Sequence, residues 1–224
     1  MDDTIQARAY AEADFEQPHS QFIAHFQRCF PTTPIQGLVL DLGCGPGDIT
    51  RRFALAYPAC TLHAVDGAPQ MLKLAAAMLQ RCHLTERVTL IQAHLPHDAL
   101  PACDYSAAIS NSLLHHLHDP QVLWNTLMQR VRPGAPVFVM DLLRPESRAA
   151  AQALTAQYAA DAPEILRTDF FNSLCAAYRV DEVRAQLARA RMDSLTTEVV
   201  SDRHFAVYGV MPDYRPTCKT PPPR

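Results

Sequence analysis

Asp41, Gly43, Gly45 and Gly47 stand at alternate positions in the string Leu38-Val39-Leu40-Asp41-Leu42-Gly43-Cys44-Gly45-Pro46-Gly47-Asp48. Glycine lets a backbone approach a bound molecule where a Cβ would collide. A carboxylate ending an apolar run accepts hydrogen bonds from amino or hydroxyl groups. The combination reads as a strand, a tight bend and a helix start around a nucleotide-type ligand. Asp66, 25 positions later, ends the next apolar run and is followed by Gly67. A carboxylate there matches the two hydroxyls of a ribose. The plainer alternatives are a strand-to-helix turn without ligand and, for Asp66, a helix cap ahead of Pro69.

A second constellation is Ile109-Ser110-Asn111-Ser112-Leu113-Leu114-His115-His116-Leu117-His118-Asp119-Pro120. Histidine takes a proton near neutral pH, so His115 or His116 is a candidate general base, and packing or capping is the competing role. Asn111 carries an amide that can orient a ligand. Five of the ten histidines lie between positions 94 and 118, yet no cysteine or acidic partner stands at a metal-ligand spacing, and no metal is expected.

These residues need a scaffold that brings strand ends together. Short apolar runs at 38–42, 61–65, 88–92, 106–110 and 136–140 alternate with amphipathic segments, the pattern of a parallel sheet covered by helices. Helices are expected over about 48–56, from Pro69 through Met78, and over 122–131. Two more helix-like stretches, 146–160 and 173–191, follow, the second interrupted near Arg179-Val180 with Asp181 as a cap. Strands at 195–200 and 204–210 lack an intervening helix and read as an antiparallel pair. Ahead of the sheet, Phe22, Phe26 and Phe30 make one apolar helical stripe beginning after Pro18.

The glycine string resembles motif I of the class I S-adenosylmethionine-dependent methyltransferases, acidic-x-G-x-G-x-G, rather than the G-x-G-x-x-G of dinucleotide sites. Asp48 stands where a pyrophosphate would want positive potential. The His115-His116-Leu117-His118-Asp119-Pro120 string resembles motif IV of the small-molecule members. The likeness covers about residues 37–141. It implies an α/β fold: a doubly wound, mostly parallel seven-stranded sheet in the order 3-2-1-4-5-7-6 with an antiparallel final strand. It also implies S-adenosyl-L-methionine as methyl donor, leaving S-adenosyl-L-homocysteine. The implied cofactor residues are Asp41, Gly43, Cys44, Gly45, Gly47, Asp66, Gly67, Met71, His94, Leu95 and Asn111. Many relatives carry an Asp where this chain has His94.

The acceptor pocket is expected over the strand tips, from Tyr10, Asp14, Phe15, His19, Arg144 and Asn172. Residues 1–34 are read as a helical lid segment, 35–211 as the methyltransferase domain with a helical insert at about 144–191, and 212–224 as a disordered tail. A net charge of −3 gives no electrostatic pull toward nucleic acid or an anionic membrane. No apolar run is long enough for a bilayer. Seven cysteines without a C-x-x-C pair suggest free thiols and a cytoplasmic setting. A small organic acceptor is expected, and the oligomeric state stays open. The rival readings are a macromolecular (RNA or protein) methyltransferase, a non-catalytic S-adenosylmethionine-binding module and a nicotinamide dehydrogenase.

Overall fold

The computed structural model describes residues 16–98 and 100–213. Seven strands, β1 (Gly37–Leu42), β2 (Cys60–Asp66), β3 (Val88–Gln92), β4 (Ala107–Asn111), β5 (Pro136–Leu142), β6 (Thr196–Ser201) and β7 (His204–Val210), form one sheet. Its order is β3-β2-β1-β4-β5-β7-β6. The first five run parallel, and β7 is antiparallel to both β5 and β6. The described helices are α1 (Glu16–Cys29), α2 (Asp48–Ala56), α3 (Pro69–Arg81), α4 (Gln121–Arg130), α5 (Arg148–Tyr158), α6 (Glu164–Ala176) and α7 (Val180–Arg189). A single 3-10 turn covers Leu114–His116.

Parallel strands need crossovers on both faces, so their side chains are buried both ways. β5 shows this at every one of its positions. Val137 and Val139 face a core with Trp124, Leu40 and Leu42, while Phe138 and Met140 face the other core with Phe22, Phe26 and Phe53. On β1 the same alternation turns Val39 toward the phenylalanine core. It therefore turns Asp41 toward the α2 side as well.

The phenylalanine stripe of α1 is part of that second core. Phe22 meets Phe138 edge-on with ring centroids 4.9 Å apart, and Phe26 meets Phe53 at 5.0 Å. Each fully buried ring contributes roughly 1.5–3 kcal/mol. Helix α1 starts at Glu16, ahead of Pro18, which sits in its first turn where a missing N–H costs nothing. The rest of the expected lid, residues 1–15, lies outside the described residues, as does most of the expected tail, 214–224.

Most boundaries differ from the sequence reading by a residue or two, and three differences have a clear physical reason. β5 continues through Asp141 and Leu142 because these pair with Phe205 and His204 of β7. Helix α6 begins at Glu164, since Leu166, Phe170 and Leu174 at fourfold spacing give it an inward stripe well before position 173. Helix α7 is capped at Arg179, whose backbone N–H donates to Glu182 Oε2 at 2.7 Å, so Asp181 is not the cap. On the far side of the sheet Trp124 Nε1 donates to Gln186 Oε1 at 2.9 Å, tying α4 to α7.

Among the described cysteines, Cys29, Cys44, Cys60, Cys82 and Cys175 are free. Cys103 is disulfide-bonded, which corrects the expectation of free thiols throughout. No described helix is long and apolar enough to cross a membrane.

Candidate active site

The site is organised by register. Leu42 pairs with Val65 on one side and Ser110 on the other, so the next residues along, Gly43, Asp66 and Asn111, stand level at the carboxyl edge. Ligands of open α/β sheets bind at this edge, where the strand order reverses. The amides of Gly43 and Cys44 both donate to Val65 O, at 2.8 and 3.0 Å, which folds the loop back over β2. Gly43, Gly45 and Gly47 all have left-handed φ, +74°, +53° and +90°. A Cβ on Gly43 would strike Leu113 at 2.8 Å, and one on Gly47 would strike Met78 and Ala75. A Cβ on Gly45 would meet nothing within 4 Å, so open space lies above that residue.

Asp66 is fastened from both sides. Its Oδ2 accepts from the Gly45 amide and its Oδ1 from the Ala68 amide, each at 2.8 Å. The carboxylate thus holds the loop and also plays the turn-acid role at the start of α3. Each oxygen keeps a further lone pair. Asp41 is buried to 1% exposure and takes a 2.6 Å hydrogen bond from Thr50 Oγ1 of α2. Burial, with Asp66 nearby, pushes its carboxyl up to about 7. Cys44 is buried in the loop, and burial, then Asp41 and Asp66, hold its thiol well above the ordinary range, so it stays neutral.

Asp48 does not present free negative charge to the loop. Its carboxylate is paired with Arg51 at 2.7 Å and Arg52 at 2.6 Å. Paired in this way, Asp48 by itself does not repel a pyrophosphate.

Around this loop, the His94 ring lies 3.0 Å from where a Gly67 Cβ would be, which brings it to the β2 tip, exposed. Met71 is buried in the first turn of α3. Leu95 is half-buried against the Trp124-side core. Asn111 Oδ1 is buried without a hydrogen-bond partner. An orphaned acceptor of this kind carries a desolvation cost that a ligand donor would relieve.

Beyond Asn111 the chain turns sharply. Ser112 has φ +56° and its amide donates to Met140 O at 2.9 Å. The 3-10 turn that follows sits on β5 and under α6. There Asp141 Oδ2 accepts from the Leu114 amide at 2.7 Å, and its Oδ1 meets both the Leu142 amide at 2.7 Å and His115 Nδ1 at 2.6 Å. His115 and His116 lie with ring centroids 4.0 Å apart. Crowding by the protein and the His115 ring lower the pKa of His116. His204, from the start of β7, is bonded to Ser201 Oγ at 2.9 Å, and burial brings it down to about 4.

The acceptor-side expectations divide. Tyr10, Asp14 and Phe15 lie outside the described residues, as does the side chain of His19 on α1. Arg144 is ion-paired with Glu182 of α7. Asn172 is exposed on α6, while Phe170 and Phe171 of that helix pack inward. Thr50 and Asp141 escaped the sequence reading. Asp141 had a signal, since in the sequence it follows an apolar run near a strand end as Asp41 and Asp66 do. A cleft of about 580 Å³ lies elsewhere, between α5 and α6, lined by Gln152, Thr155, Arg167 and Phe171 among others. It is wide open and no strand-tip residue lines it, so the convergent buried polar groups locate the site better than volume does.

The sheet order, the antiparallel β7 and the glycine bend after β1 define the class I methyltransferase fold. Solved structures share it. A SAM-dependent methyltransferase from Aquifex aeolicus superposes with a TM-score of 0.64 at 17% identity, covering 92% of this chain and 97% of that one. A putative S-adenosyl-L-methionine-dependent methyltransferase from Methanococcus maripaludis gives 0.70 at 17%, covering 96% of each. In sequence, a trans-aconitate 2-methyltransferase of Mycobacterium tuberculosis is 31% identical over 101 residues, 45% of this chain and 35% of that protein. An uncharacterized methyltransferase of Mycobacterium bovis is 31% identical over 110 residues, 49% of this chain and 53% of that protein. The chain thus spans between a third and about half of the length of these curated relatives. Residues 39–134 match the family model described as a methyltransferase domain. The chain thus carries a stretch similar to methyltransferase domains within the fold of the class I S-adenosylmethionine-dependent methyltransferases.

Proposed function

We propose that the protein transfers the methyl group of S-adenosyl-L-methionine to a small organic acceptor. The observation that carries this reading is the level placement of three features. They are Gly43, which leads into the open space over Gly45, the Asp66 carboxylate on one side and the unpartnered Asn111 Oδ1 on the other. The bound donor supplies an electrophilic methyl on a cationic sulfur. Asp66 accepts from the ribose hydroxyls through its remaining lone pairs, and Asn111 takes a donor of the methionine portion. Gly43, Cys44, Gly45 and Gly47 let the backbone come close, while Gly67, Met71, His94 and Leu95 border the base. Asp41 acts from beneath, through Thr50 and the loop.

Alignment of donor and acceptor alone is worth up to about 7–11 kcal/mol of barrier, so most of the catalysis comes from holding two molecules in line. Helix α6 packs on the 3-10 turn that follows β4, the side from which water would be excluded once both molecules are bound. A small acceptor is favoured because net charge and motif IV both point away from nucleic acid; the five described free thiols fit a cytoplasmic setting, and the disulfide at Cys103 weighs against it.

The test is S-adenosylhomocysteine release by the purified protein with a metabolite extract. Release that depends on the extract supports the reading. Tight S-adenosylhomocysteine binding with no release under any extract would favour a non-catalytic binding module instead.

A further inference from the structure

We propose that Thr50 is a positioning residue of the donor site: its hydroxyl keeps the Asp41 carboxyl ready to ionise beneath the glycine bend, so that Asp41 gives up a proton when the cationic donor binds. The proposal deepens the methyltransferase reading above and rests on it. Asp41 is 1% exposed on β1, and Thr50 is fully buried in the first turn of α2. Thr50 Oγ1 donates to Asp41 Oδ2 at 2.6 Å, a bond that closes Gly43, Gly45 and Gly47 into one loop.

The position of Thr50 in its helix explains the contact. Thr126 and Thr155, further along α4 and α5, give their hydroxyls to the carbonyls four residues back, Val122 O and Ala151 O. Thr50 has no helical carbonyl four residues behind it, because α2 starts at Asp48. Its hydroxyl reaches across the bend to β1 instead. An ionised carboxylate has room for about four donors. Among the described residues Thr50 alone donates to Asp41.

The charge on Asp41 is finely balanced. Burial raises its carboxyl, the Thr50 hydroxyl lowers it and Asp66 raises it, with the balance at about 7. Several titratable or charged groups face it. Asp66 stands at the tip of β2, and the Cys44 thiol of the bend is held neutral by burial. On α2, Asp48 is paired with Arg51 and Arg52. From β4 come Ile109, in register with Asp41, and the neutral Asn111, while α1 presents Phe22 and Phe26 to the same core. A positive ligand over the bend favours the ionised form of a carboxyl below it. Asp41 then loses its proton to the buffer and leaves a negative charge under the donor. Without the Thr50 hydroxyl the neutral carboxyl persists to higher pH, and donor binding weakens at neutrality.

Calorimetry of S-adenosyl-L-methionine binding decides this, run at pH 7 in phosphate and in Tris, whose different ionisation heats count the protons released. A second series covers pH 6 to 8. The parent should release roughly half a proton per site at pH 7 and bind about tenfold more weakly at pH 6 than at pH 8. Thr50→Val should release more at pH 7 and move the rise in affinity to higher pH. Thr50→Ser, which restores the hydroxyl, should match the parent. Asp41→Asn should release no proton and bind equally at pH 6 and pH 8. Thr50→Ala replaces Thr50→Val if that variant does not fold. No release by the parent, release that persists in Asp41→Asn, or a parent-like proton count and pH profile without the hydroxyl overturns the inference and leaves the donor reading standing. Failure of the parent to bind S-adenosyl-L-methionine at any of these pH values removes both.

Discussion

The Gly45 backbone amide donates a 2.8 Å hydrogen bond to Asp66 Oδ2, tying the apex of the cofactor loop to the tip of the neighbouring strand. One carboxylate therefore shapes the cradle and faces what the cradle holds. Asp66→Ala should weaken S-adenosylhomocysteine binding by about 1.5–3 kcal/mol, the worth of hydrogen bonds to a charged group. Calorimetry on the folded variant checks this, and an unchanged dissociation constant removes Asp66 from the site.

Gly43 and Gly45 should respond differently to a side chain. Asparagine tolerates left-handed backbone, and a side chain at Gly45 projects into open space. Gly45→Asn should keep its melting temperature and lose ligand binding. At Gly43 the new Cβ meets Leu113 at 2.8 Å, so Gly43→Ala should lower stability by about 1–3 kcal/mol through overpacking. Thermal melts and calorimetry on both variants separate packing from ligand contact.

That contrast marks how far the residues could be read without coordinates. Strand 88–92 and helix 48–56 were legible to the residue, because a Val/Ile-bearing run and an amphipathic segment opening directly after a glycine bend are local signals. The order of the strands was not, and it came only with the family resemblance. The inward face of Asp41 was hidden for a different reason. Its direction follows from which residue of β1 alternates toward α2, and its partner Thr50 lies on another element. Asp141 follows the apolar run 136–140 directly, but its grip on His115 depends on the 3-10 turn and on two extra residues of β5 recruited by β7. Helix α6 starts nine residues before the expected 173, because its inward stripe of Leu166, Phe170 and Leu174 is buried against other elements rather than announced by a local cap.

Phe26 lies among Phe53, Phe30, Tyr57 and Phe138, fully buried on α1. Phe26→Ala should cost about 3–5 kcal/mol by denaturant titration, as for other large-to-small changes in a core. A loss under about 1 kcal/mol would mean that α1 covers the sheet loosely rather than completing its core.

His204 makes stability depend on pH. Burial lowers its pKa from 6.5 to about 4, so the unfolded chain binds the extra proton between those values and the folded one does not. Stability therefore rises with pH across that window and is lost as pH falls from about 6.5 toward 4. Asp41, raised to about 7, acts in the opposite sense over the same range, so the comparison must be made variant against parent. His204→Gln should flatten the acid-side slope of the unfolding free energy, and an unchanged slope would show that His204 titrates normally.

The most direct test of the whole reading is calorimetric titration of the protein with S-adenosylhomocysteine and, in parallel, with nicotinamide adenine dinucleotide. One saturable S-adenosylhomocysteine site per chain, lost in Gly45→Asn, with no dinucleotide binding, is the predicted result. Saturable binding of the dinucleotide with no heat from S-adenosylhomocysteine would contradict it.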